Sequence, residues 1–547
     1  MNKPAFRTIA GAVVIVAAAV LLWRRQDNPR TPGAVGRAEL MQTSKSPTAK
    51  PVSVALPPNR GLSPAAQRLL ADLERALSRL DVRSRESVLT FKDDEAFHRF
   101  LNRAHAAGLS ILGRVDALRS LRVRFDHVGA LEADIAGNAD DYAAAGANVL
   151  FTIPQPPARE DRAAVDQVPF GNRTLGFLGA ENNHEWGRGV VVAVLDTGIA
   201  SDATFGNRLR ALDIGLGASP GSGASDGHGT SVASLAAGAA ADAGGVAPAA
   251  SVLGIRVTDT SGTSDMFTLS HAIVAAVDAG AKIVNISLGG YATGAVLDAA
   301  LAYAGQRGAI VVAAAGNDQA AQLAWPAADP RVVSVGAIDA AEQQVSFSNS
   351  GEQLRLTAPG YGVQTAWLEG QRAYVNGTSA SAPLVAGAIA AVMSQNPSLT
   401  PQQAVQVLVD SASEAGMPGV DPAFGHGILN LGWAMNRGNA GYVDTAVASH
   451  FYDAASNQMQ FLIQNRSGRA VTGMTLNVAA GKTSQTYSVP SLGPGESYVA
   501  RVPVDQIALR SNGSLPFTTQ LTNPIAITDQ VPANNRRSSV LKSPSKP

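Results

Sequence analysis

The chain has 547 residues, of which 46% are hydrophobic and 16% charged, so it is long enough for two or three folded domains and too apolar for a disordered protein. Lysine plus arginine and aspartate plus glutamate each number 43, and this balanced charge argues against a nucleic-acid groove. Cysteine is absent, which excludes disulfide scaffolds, zinc ribbons, thiol nucleophiles and cysteine-ligated iron–sulfur clusters.

The N-terminus combines basic residues with an uncharged apolar run. Residues 8–23 lie between Arg7 and Arg24, and as a helix they would extend about 24 Å, short of the ~30 Å hydrocarbon core of a bilayer. Because no small-x-small cleavage site follows closely, we favour an uncleaved membrane anchor within residues 1–25 over a cleaved signal peptide. Both alternatives predict an exported protein, either anchored on the outer side of the cytoplasmic membrane or secreted.

The next two segments predict a linker and a small mixed domain. Residues 26–83 are rich in Pro, Ser and Thr, apart from one amphipathic helix that begins at the candidate N-cap Ser63. Residues 84–155 alternate strand-like and helical patterns, which predicts a small α+β unit. We expect strands at 87–91, 120–125 and 149–153, and helices at 63–79, 94–107 and 130–146.

Residues 165–437 predict a three-layer α/β domain with a parallel sheet. Short apolar runs rich in Val and Ile alternate with helical stretches rich in Ala and Gly, and such continuous apolarity is typical of strands that are buried on both faces. We expect strands at 190–195, 251–257, 283–288, 310–314 and 332–335, and helices at 231–241 and 380–394.

The last part of the chain changes pattern again. Residues 440–535 contain alternating apolar and polar positions with turn signals between them, which predicts an antiparallel β-sandwich. Residues 536–547 are polar and basic, and we expect a disordered tail. The sandwich strands are predicted at 458–464, 474–478, 483–489 and 498–502.

Four polar residues stand at positions where an α/β sheet places its chemistry. Asp196 ends the apolar run VVVAVL, at the carboxyl end of a predicted buried strand, and Asn317 follows another such strand. His228 lies between glycines in DGHGT, just before a helix. Ser379 lies in GTSASAP at the start of a helix, where free N–H groups and the helix dipole can stabilise an oxyanion.

Each of these motifs also has a plain structural explanation. A strand-ending turn accounts for Asp196 or Asn317, an incidental loop residue for His228, and an N-cap for Ser379. Two further hydroxyls, those of Thr378 and Ser381, compete with Ser379 as the nucleophile; we favour Ser379 because it opens the helix after Gly-Thr.

Taken together, in the order Asp, His, Asn, Ser on one parallel sheet, the motifs resemble the subtilisin-like serine proteases (subtilases, peptidase family S8). The resemblance covers roughly residues 165–437 and includes the Asp–His spacing of 32 positions, 228 minus 196. Three departures are Ser231 in place of a second His, Ala380-Ser381 in place of Met-Ala, and a short segment between Asn317 and Trp325. Further matching segments are Ser287-Leu288-Gly289, Trp325-Pro326-Ala327, and Phe424-Gly425-His426-Gly427 followed by Leu429-Asn430.

The resemblance implies a serine endopeptidase that hydrolyses protein or peptide substrates through an acyl-enzyme. It implies Ser379 as the nucleophile, His228 as the general base and Asp196 as the residue that orients the imidazole. Asn317 would bind the oxyanion, and substrate would pair as a strand with the edge Ser287, Leu288 and Gly289. The resemblance also implies a cis bond before Pro326.

The resemblance extends to the flanking units and to the cofactor. Residues 84–155 resemble the inhibitory propeptides of the family, which implies that the chain processes itself; the alternative is that this unit stays attached. The C-terminal unit resembles bacterial CARDB-like β-sandwich modules, or serves as a structural cap. No metal ligands and no required cofactor are predicted; calcium is frequent in the family, but no D-x-[DN]-x-[DN]-G run occurs here, so calcium stays open.

Two other functions remain as alternatives to an active exported subtilase. One is a catalytically silent binding protein on the same scaffold, against which the presence of all four site residues argues. The other is an acid peptidase of the sedolisin type with a Ser-Glu-Asp site, which should lack the segment Asp226–Thr230.

Overall fold

A computed structural model of the chain describes five stretches: residues 61–153, 167–180, 184–217, 227–481 and 483–543. The targeting segment predicted at 1–25 lies outside the described residues, as does the linker up to residue 60. Within the described stretches, no helix combines the length and the apolar character needed to cross a membrane.

The N-terminal unit is a four-stranded antiparallel sheet with three helices. Ser63 caps its first helix by accepting a 3.1 Å hydrogen bond from the Ala66 N–H, and Asp93 caps the second at 2.7 Å from the Ala96 N–H. The strand order is β4-β1-β3-β2, and a short strand of the central domain, Thr263–Asp265, pairs with β4 as the fifth strand of this sheet. The elements are α1 (Pro64–Leu77), β1 (Val82–Phe91), α2 (Asp94–Arg103), β2 (Leu109–Val115), β3 (Ser120–Phe125), α3 (Val128–Gly137) and β4 (Tyr142–Thr152).

The helix predicted at 130–146 is wrong in its second half. Helix α3 ends at Gly137, and residues 142–152 form strand β4, which pairs with β1 in antiparallel register. The alanines of this stretch favour a helix intrinsically, but pairing with a buried neighbouring strand outweighs that small preference. The strand β2 was not predicted, because most of its side chains are exposed and its sequence alternates only weakly.

The central domain is a seven-stranded parallel sheet covered by helices on both faces, which confirms the predicted three-layer α/β fold. Its strand order is β14-β13-β12-β11-β5-β9-β6. The elements are α4 (Thr174–Leu178), β5 (Val191–Asp196), β6 (Leu209–Leu212), α5 (His228–Ala237), β7 (Ala239–Ala240), β8 (Ala243–Gly244), β9 (Ser251–Arg256), β10 (Thr263–Asp265), α6 (Met266–Asp278), β11 (Ile283–Ile286), α7 (Ala295–Gln306), β12 (Ile310–Ala314), β13 (Val333–Ile338), β14 (Leu356–Pro359), β15 (Val363–Ala366), β16 (Arg372–Val375), α8 (Thr378–Gln395), α9 (Pro401–Asp410) and α10 (Leu431–Asn436).

Strand β5 illustrates why the central strands read as unbroken apolar runs. Its alternate residues Val192 and Val194 belong to the core formed with α5 and α8, whereas Ala193 and Leu195 belong to the core formed with α6 and α7. Since both faces are buried, every position along the strand is apolar until Asp196, which ends it.

The C-terminal unit consists of two antiparallel sheets, β17-β18-β21 and β20-β19-β22-β23, that share one apolar core, as expected for a β-sandwich. Phe461, Leu476 and Phe517 lie in this core. The elements are β17 (Thr445–Asp453), β18 (Gln458–Asn465), β19 (Thr475–Ala480), β20 (Thr483–Ser488), β21 (Ser497–Pro503), α11 (Gln506–Asn512), β22 (Ser514–Thr522) and β23 (Arg536–Lys542).

The disordered tail predicted at 536–547 is wrong over most of its length. Residues 536–542 form the edge strand β23, which pairs with β22, and Arg537 donates hydrogen bonds to Glu342 (2.6 Å) and to the Ala448 carbonyl (2.7 Å). A polar, basic sequence is what an edge strand with a solvent-facing side requires, and this composition is also typical of disorder. Residues 544–547 lie outside the described residues.

Candidate active site

The candidate residues lie at the carboxyl ends of three adjacent parallel strands. In the sheet, β11 lies between β5 and β12, with Ile286 opposite both Leu195 and Ala313. Asp196 ends β5, Ser287 directly follows β11, and Asn317 follows β12 by three residues. Parallel strands bring these positions to one edge of the sheet, which is where open α/β folds form their sites.

Asp196 and His228 form a buried hydrogen-bonded pair. Asp196 is fully buried, and its Oδ1 lies 2.8 Å from Nδ1 of His228, the first residue of α5. The Thr197 N–H donates to the same oxygen at 2.8 Å. The glycine after the histidine permits this approach, since a Cβ at Gly229 would lie 2.2 Å from the Gly198 carbonyl oxygen. Because Nδ1 faces a carboxylate, the ring carries its proton there and leaves Nε2 as an acceptor.

Ser379 is the second residue of α8, so its N–H is one of the first four, which have no acceptor within the helix. Gly377 precedes the helix with φ of +136°, a conformation that L side chains rarely adopt. The two competing hydroxyls are fully buried and engaged elsewhere: Ser381 Oγ donates to the carbonyls of Ala358 and Pro359, and Thr378 Oγ1 donates to Asn317. Ser379 retains a 5% exposed surface.

A proline in the helix frees the carbonyl group of Ser379. Pro383 lies four residues further along α8 and has no N–H with which to bond the Ser379 oxygen. The Ser287 hydroxyl donates to that oxygen at 3.2 Å instead. The hydroxyl of Ser379 in turn donates to the Ser287 carbonyl at 3.2 Å, so the two serines are doubly linked.

The Ser379 hydroxyl therefore faces Ser287 in this structure, and no hydrogen bond joins it to His228. A side-chain hydroxyl of this kind occupies one of three staggered positions about the Cα–Cβ bond. Hydrogen bonds of catalytic groups are often loose without substrate and tighten in the complex.

Asn317 is oriented by the residue before the serine. Its Oδ1 accepts hydrogen bonds from the Thr378 N–H and the Thr378 hydroxyl, both at 2.9 Å. The amide nitrogen consequently lies on the side of Gly377, where a Cβ would stand only 2.8 Å from Nδ2. This orientation presents an N–H group beside the N-terminus of α8. The role of Thr378 could not be inferred from the sequence, in which it stood only as a competing nucleophile.

The predicted substrate edge is paired with the end of the N-terminal unit. Thr152 and Gly289 exchange two antiparallel hydrogen bonds, of 2.9 and 3.0 Å. Ser287 and Leu288, which precede Gly289 in the chain, are fully buried. On the opposite side of Thr152, β4 pairs with β10, and the Ile153 N–H donates to the Gly262 carbonyl at 3.3 Å. The chain around Thr152 thus lies as an extended strand between two segments of the central domain.

The turn after the oxyanion candidate also matches expectation. The bond between Trp325 and Pro326 is cis, as predicted, and Trp325 pairs with Gly290 next to the substrate edge.

The His, Asp and Glu side chains of the described residues form no group of three that could hold a metal ion.

Comparison with known proteins agrees with the geometry. Residues 187–427 match the model of the Subtilase family. The chain is 35% identical over 263 residues to Subtilisin Savinase of Lederbergia lenta, and the alignment covers 48% of this chain and 97% of that protein. It is 31% identical to an alkaline protease of Shouchella clausii, and this alignment covers 68% of that protein.

Solved structures share the fold. Fervidolysin from Fervidobacterium pennivorans, a keratinolytic enzyme related to subtilisin, superposes with a TM-score of 0.57 at 19% identity over 85% of this chain and 77% of its own. The epidermin leader peptide processing serine protease of Staphylococcus aureus gives 0.54 at 20% identity over 65% and 98%. The sequence relationship to Subtilisin Savinase and the parallel sheet together establish that the chain belongs to the subtilase family of serine endopeptidases.

Proposed function

We propose that Ser379, His228 and Asp196 form the catalytic triad of this peptidase. The observation that carries the proposal is the 2.8 Å bond between a buried carboxylate and His228 at the same sheet edge as a serine that opens a helix. The proposal requires the Ser379 hydroxyl to turn, by rotation about the Cα–Cβ bond, from the Ser287 carbonyl towards Nε2 of the imidazole.

In this mechanism, His228 Nε2 takes the proton of Ser379 as the oxygen attacks the scissile carbonyl carbon. The negative charge moves to the carbonyl oxygen, where the Asn317 amide and the Ser379 N–H donate to it. The imidazolium then gives its proton to the leaving amine, and Asp196 stabilises the ring in its charged form. Water, activated by the same imidazole, hydrolyses the resulting acyl-enzyme.

A fluorophosphonate probe tests this assignment. Labelling of the wild-type protein, together with loss of labelling in both Ser379→Ala and His228→Ala, is the expected result. A protein that binds peptides but is not labelled would instead be a silent binding protein on this scaffold. Labelling that persists in His228→Ala would favour a Glu base of the sedolisin type, against which the His228–Asp196 bond argues.

We further propose that the N-terminal unit inhibits the enzyme until it is cut away, with the cut between Ile153 and Gln167. The pairing of Thr152 with Gly289 supports this, because a strand in that position occupies the edge where substrate would add. The unit also meets the N-terminus of α6, where the Asn148 amide oxygen accepts the Phe267 N–H at 3.1 Å. The alternative is a unit that stays covalently attached.

Charged contacts across this interface give a prediction. Arg122 lies 3.3 Å from Asp265, a residue of the central domain that is 2% exposed, and 2.7 Å from Glu86 in its own unit. Removing one partner of a buried charge pair typically costs 2–5 kcal/mol. Because Asp265 keeps a second partner, Arg83 at 3.3 Å, we expect the low end of this range, so Arg122→Gln should weaken inhibition about 10-fold. The measurement is the inhibition by the released unit that remains after processing, followed with a peptide substrate.

Arg114→Gln is the matched control for Arg122→Gln. Arg114 forms an ion pair with exposed Asp116 and lies 5.8 Å from the centre of the Phe97 ring, and both partners belong to the same unit, so we expect no change. Equal inhibition in the two variants would contradict the role of Arg122. A precursor that is active at full length would favour the unit that stays attached.

The buried carboxyl of Glu86 gives a pH prediction. Burial acts to raise its pKa, but the hydrogen bond and charge of Arg122, with help from Asn148 and Arg124, outweigh burial and hold the pKa below the ordinary 4.5. A lowered pKa stabilises the folded unit above pH 4.5, and this contribution is lost as the pH falls through the lowered value. We expect the thermal stability of the Ser379→Ala precursor to fall in that range, and to fall less in Glu86→Gln.

Export is a proposal that rests on the uncharged run at residues 8–23, which lies outside the described residues. N-terminal sequencing of protein from membrane and secreted fractions distinguishes an anchor from a cleaved signal and also locates the maturation cut.

We propose that the C-terminal sandwich is either a CARDB-like module or a structural cap. Two contacts with the central domain favour the cap: the ion pair between Arg537 and Glu342, and the 3.4 Å hydrogen bond from the Glu414 N–H to Gln464.

A further inference from the structure

The side-chain amide of Asn349 forms hydrogen bonds on both sides of the turn that carries Asn317. Asn349 is fully buried, and its side chain accepts hydrogen bonds from the N–H groups of Asp318 (2.9 Å) and Ala320 (3.0 Å). Its Nδ2 donates to the Ala315 carbonyl at 3.2 Å, and its own N–H donates to the Gly316 carbonyl at 3.0 Å. One side chain thus contacts the main chain on both sides of the residue proposed to bind the oxyanion.

The turn needs such support because a glycine within it leaves the backbone free to adopt several conformations. Gly316 has φ of +110°, in a region where glycine alone moves freely. Asn349 packs directly against it: a Cβ at Gly316 would lie 2.3 Å from the Asn349 Nδ2. Thr378 adds a further constraint, since its hydroxyl accepts the Gly316 N–H at 3.2 Å.

Tyr291 connects this amide to the substrate edge. It stands two residues after Gly289, and its hydroxyl accepts a 2.7 Å hydrogen bond from Asn349 Nδ2 while donating to the carboxylate of Asp318. Burial, followed by the bond to Asp318, raises the pKa of the Tyr291 phenol to about 12, so the group keeps its proton and remains a donor in alkaline solution.

We propose that Tyr291 and Asn349 form a brace that positions Asn317 for oxyanion binding and links it to the strand that holds the substrate. An oxyanion donor acts only at hydrogen-bond distance from where the charge develops, and a misplacement of ~1 Å can cost about 100-fold in rate. The brace acts through Asn317, so both residues are positioning residues. This inference rests on the proposed role of Asn317.

The test removes only the Tyr291 hydroxyl. Tyr291→Phe, in the processed enzyme with active sites counted by a fluorophosphonate, should lower kcat about 10-fold on a peptide p-nitroanilide while KM stays within about twofold. Asp318→Ala should behave like Tyr291→Phe, whereas Asp318→Asn keeps an acceptor for the phenol and should retain kcat. Tyr303→Phe is the matched control, because it removes a Tyr–Asp bond of 2.6 Å on the outer helix α7.

A double-mutant cycle with Asn317→Ala decides between positioning and a general structural effect. Asn317→Ala should lower kcat by 100- to 1,000-fold, the scale measured for the corresponding donor of subtilisin, and adding Tyr291→Phe to it should cause less than a twofold further loss. If Tyr291→Phe costs the same factor in both backgrounds, the brace is overturned while the oxyanion assignment stands. If Asn317→Ala leaves kcat unchanged, the oxyanion assignment fails, and the brace fails with it.

Discussion

Protein that carries Ser379→Ala should accumulate as the full-length precursor and show no peptidase activity above background. The substitution removes only Oγ, whose one hydrogen bond within the described part of the chain is the 3.2 Å contact with the Ser287 carbonyl. The helix start, the Asn317 contacts and the Asp196–His228 pair do not depend on that atom. The fold should therefore survive, and the loss should be chemical.

The size of the loss can be taken from a relative. In subtilisin, removal of the nucleophile costs about 10⁶-fold in kcat, and this scale is carried over within the family rather than derived from the present geometry. Single-turnover assays on a peptide ester, together with electrophoresis of the freshly expressed chain, measure both effects.

Ser381→Ala is the matched control for Ser379→Ala. Its hydroxyl is buried against the carbonyls of Ala358 and Pro359, so its removal should cost about 1 kcal/mol of stability and leave kcat nearly unchanged. Normal cutting of the Ser379→Ala chain would show that another protease processes it. An equal loss of kcat in Ser381→Ala would move the nucleophile to the neighbouring serine.

The central fold was predictable because its strands are buried on both faces. Residues 310–314 were predicted as a strand from apolarity alone, and the structure has β12 at Ile310–Ala314. The candidate site was predictable for two reasons: topology brings residues that end parallel strands or open helices to one edge of the sheet, and the motifs around Asp196 and His228 resemble those of subtilases.

What the sequence could not reveal depends on contacts between distant segments. Asn349 is a loop residue outside any recognised motif, and only the fold places it beside Gly316 and Asn317. The pairing of Thr152 with Gly289 likewise joins positions 137 residues apart, 289 minus 152, and no local pattern in either segment predicts that these two residues pair. Strand β4 was partly misread for the same reason, since its partner β1 overrides the helix propensity of its alanines.

Asp196→Ala should lower kcat by about 10⁴-fold, again on the scale measured within the family, because the imidazole loses both its orientation and the charge that stabilises its protonated form. Asp196→Asn separates these two roles. In the structure, one oxygen of the carboxylate accepts both the His228 Nδ1–H and the Thr197 N–H, each at 2.8 Å.

The Thr197 N–H therefore decides how an asparagine at position 196 would turn. With its oxygen toward Thr197, the amide also accepts from His228 Nδ1 and preserves the reactive tautomer; its nitrogen then takes the place of Oδ2, which has no donor among the described residues. In the opposite orientation, the amide nitrogen would face the Thr197 N–H, and two donors would stand against each other with no acceptor. We expect the first orientation, a kcat loss nearer 10²-fold, and a retained Nδ1–H proton resonance of His228. If Asp196→Asn is as inactive as Asp196→Ala and lacks that resonance, the amide has turned its nitrogen to the ring, and the contact with Thr197 does not govern the tautomer.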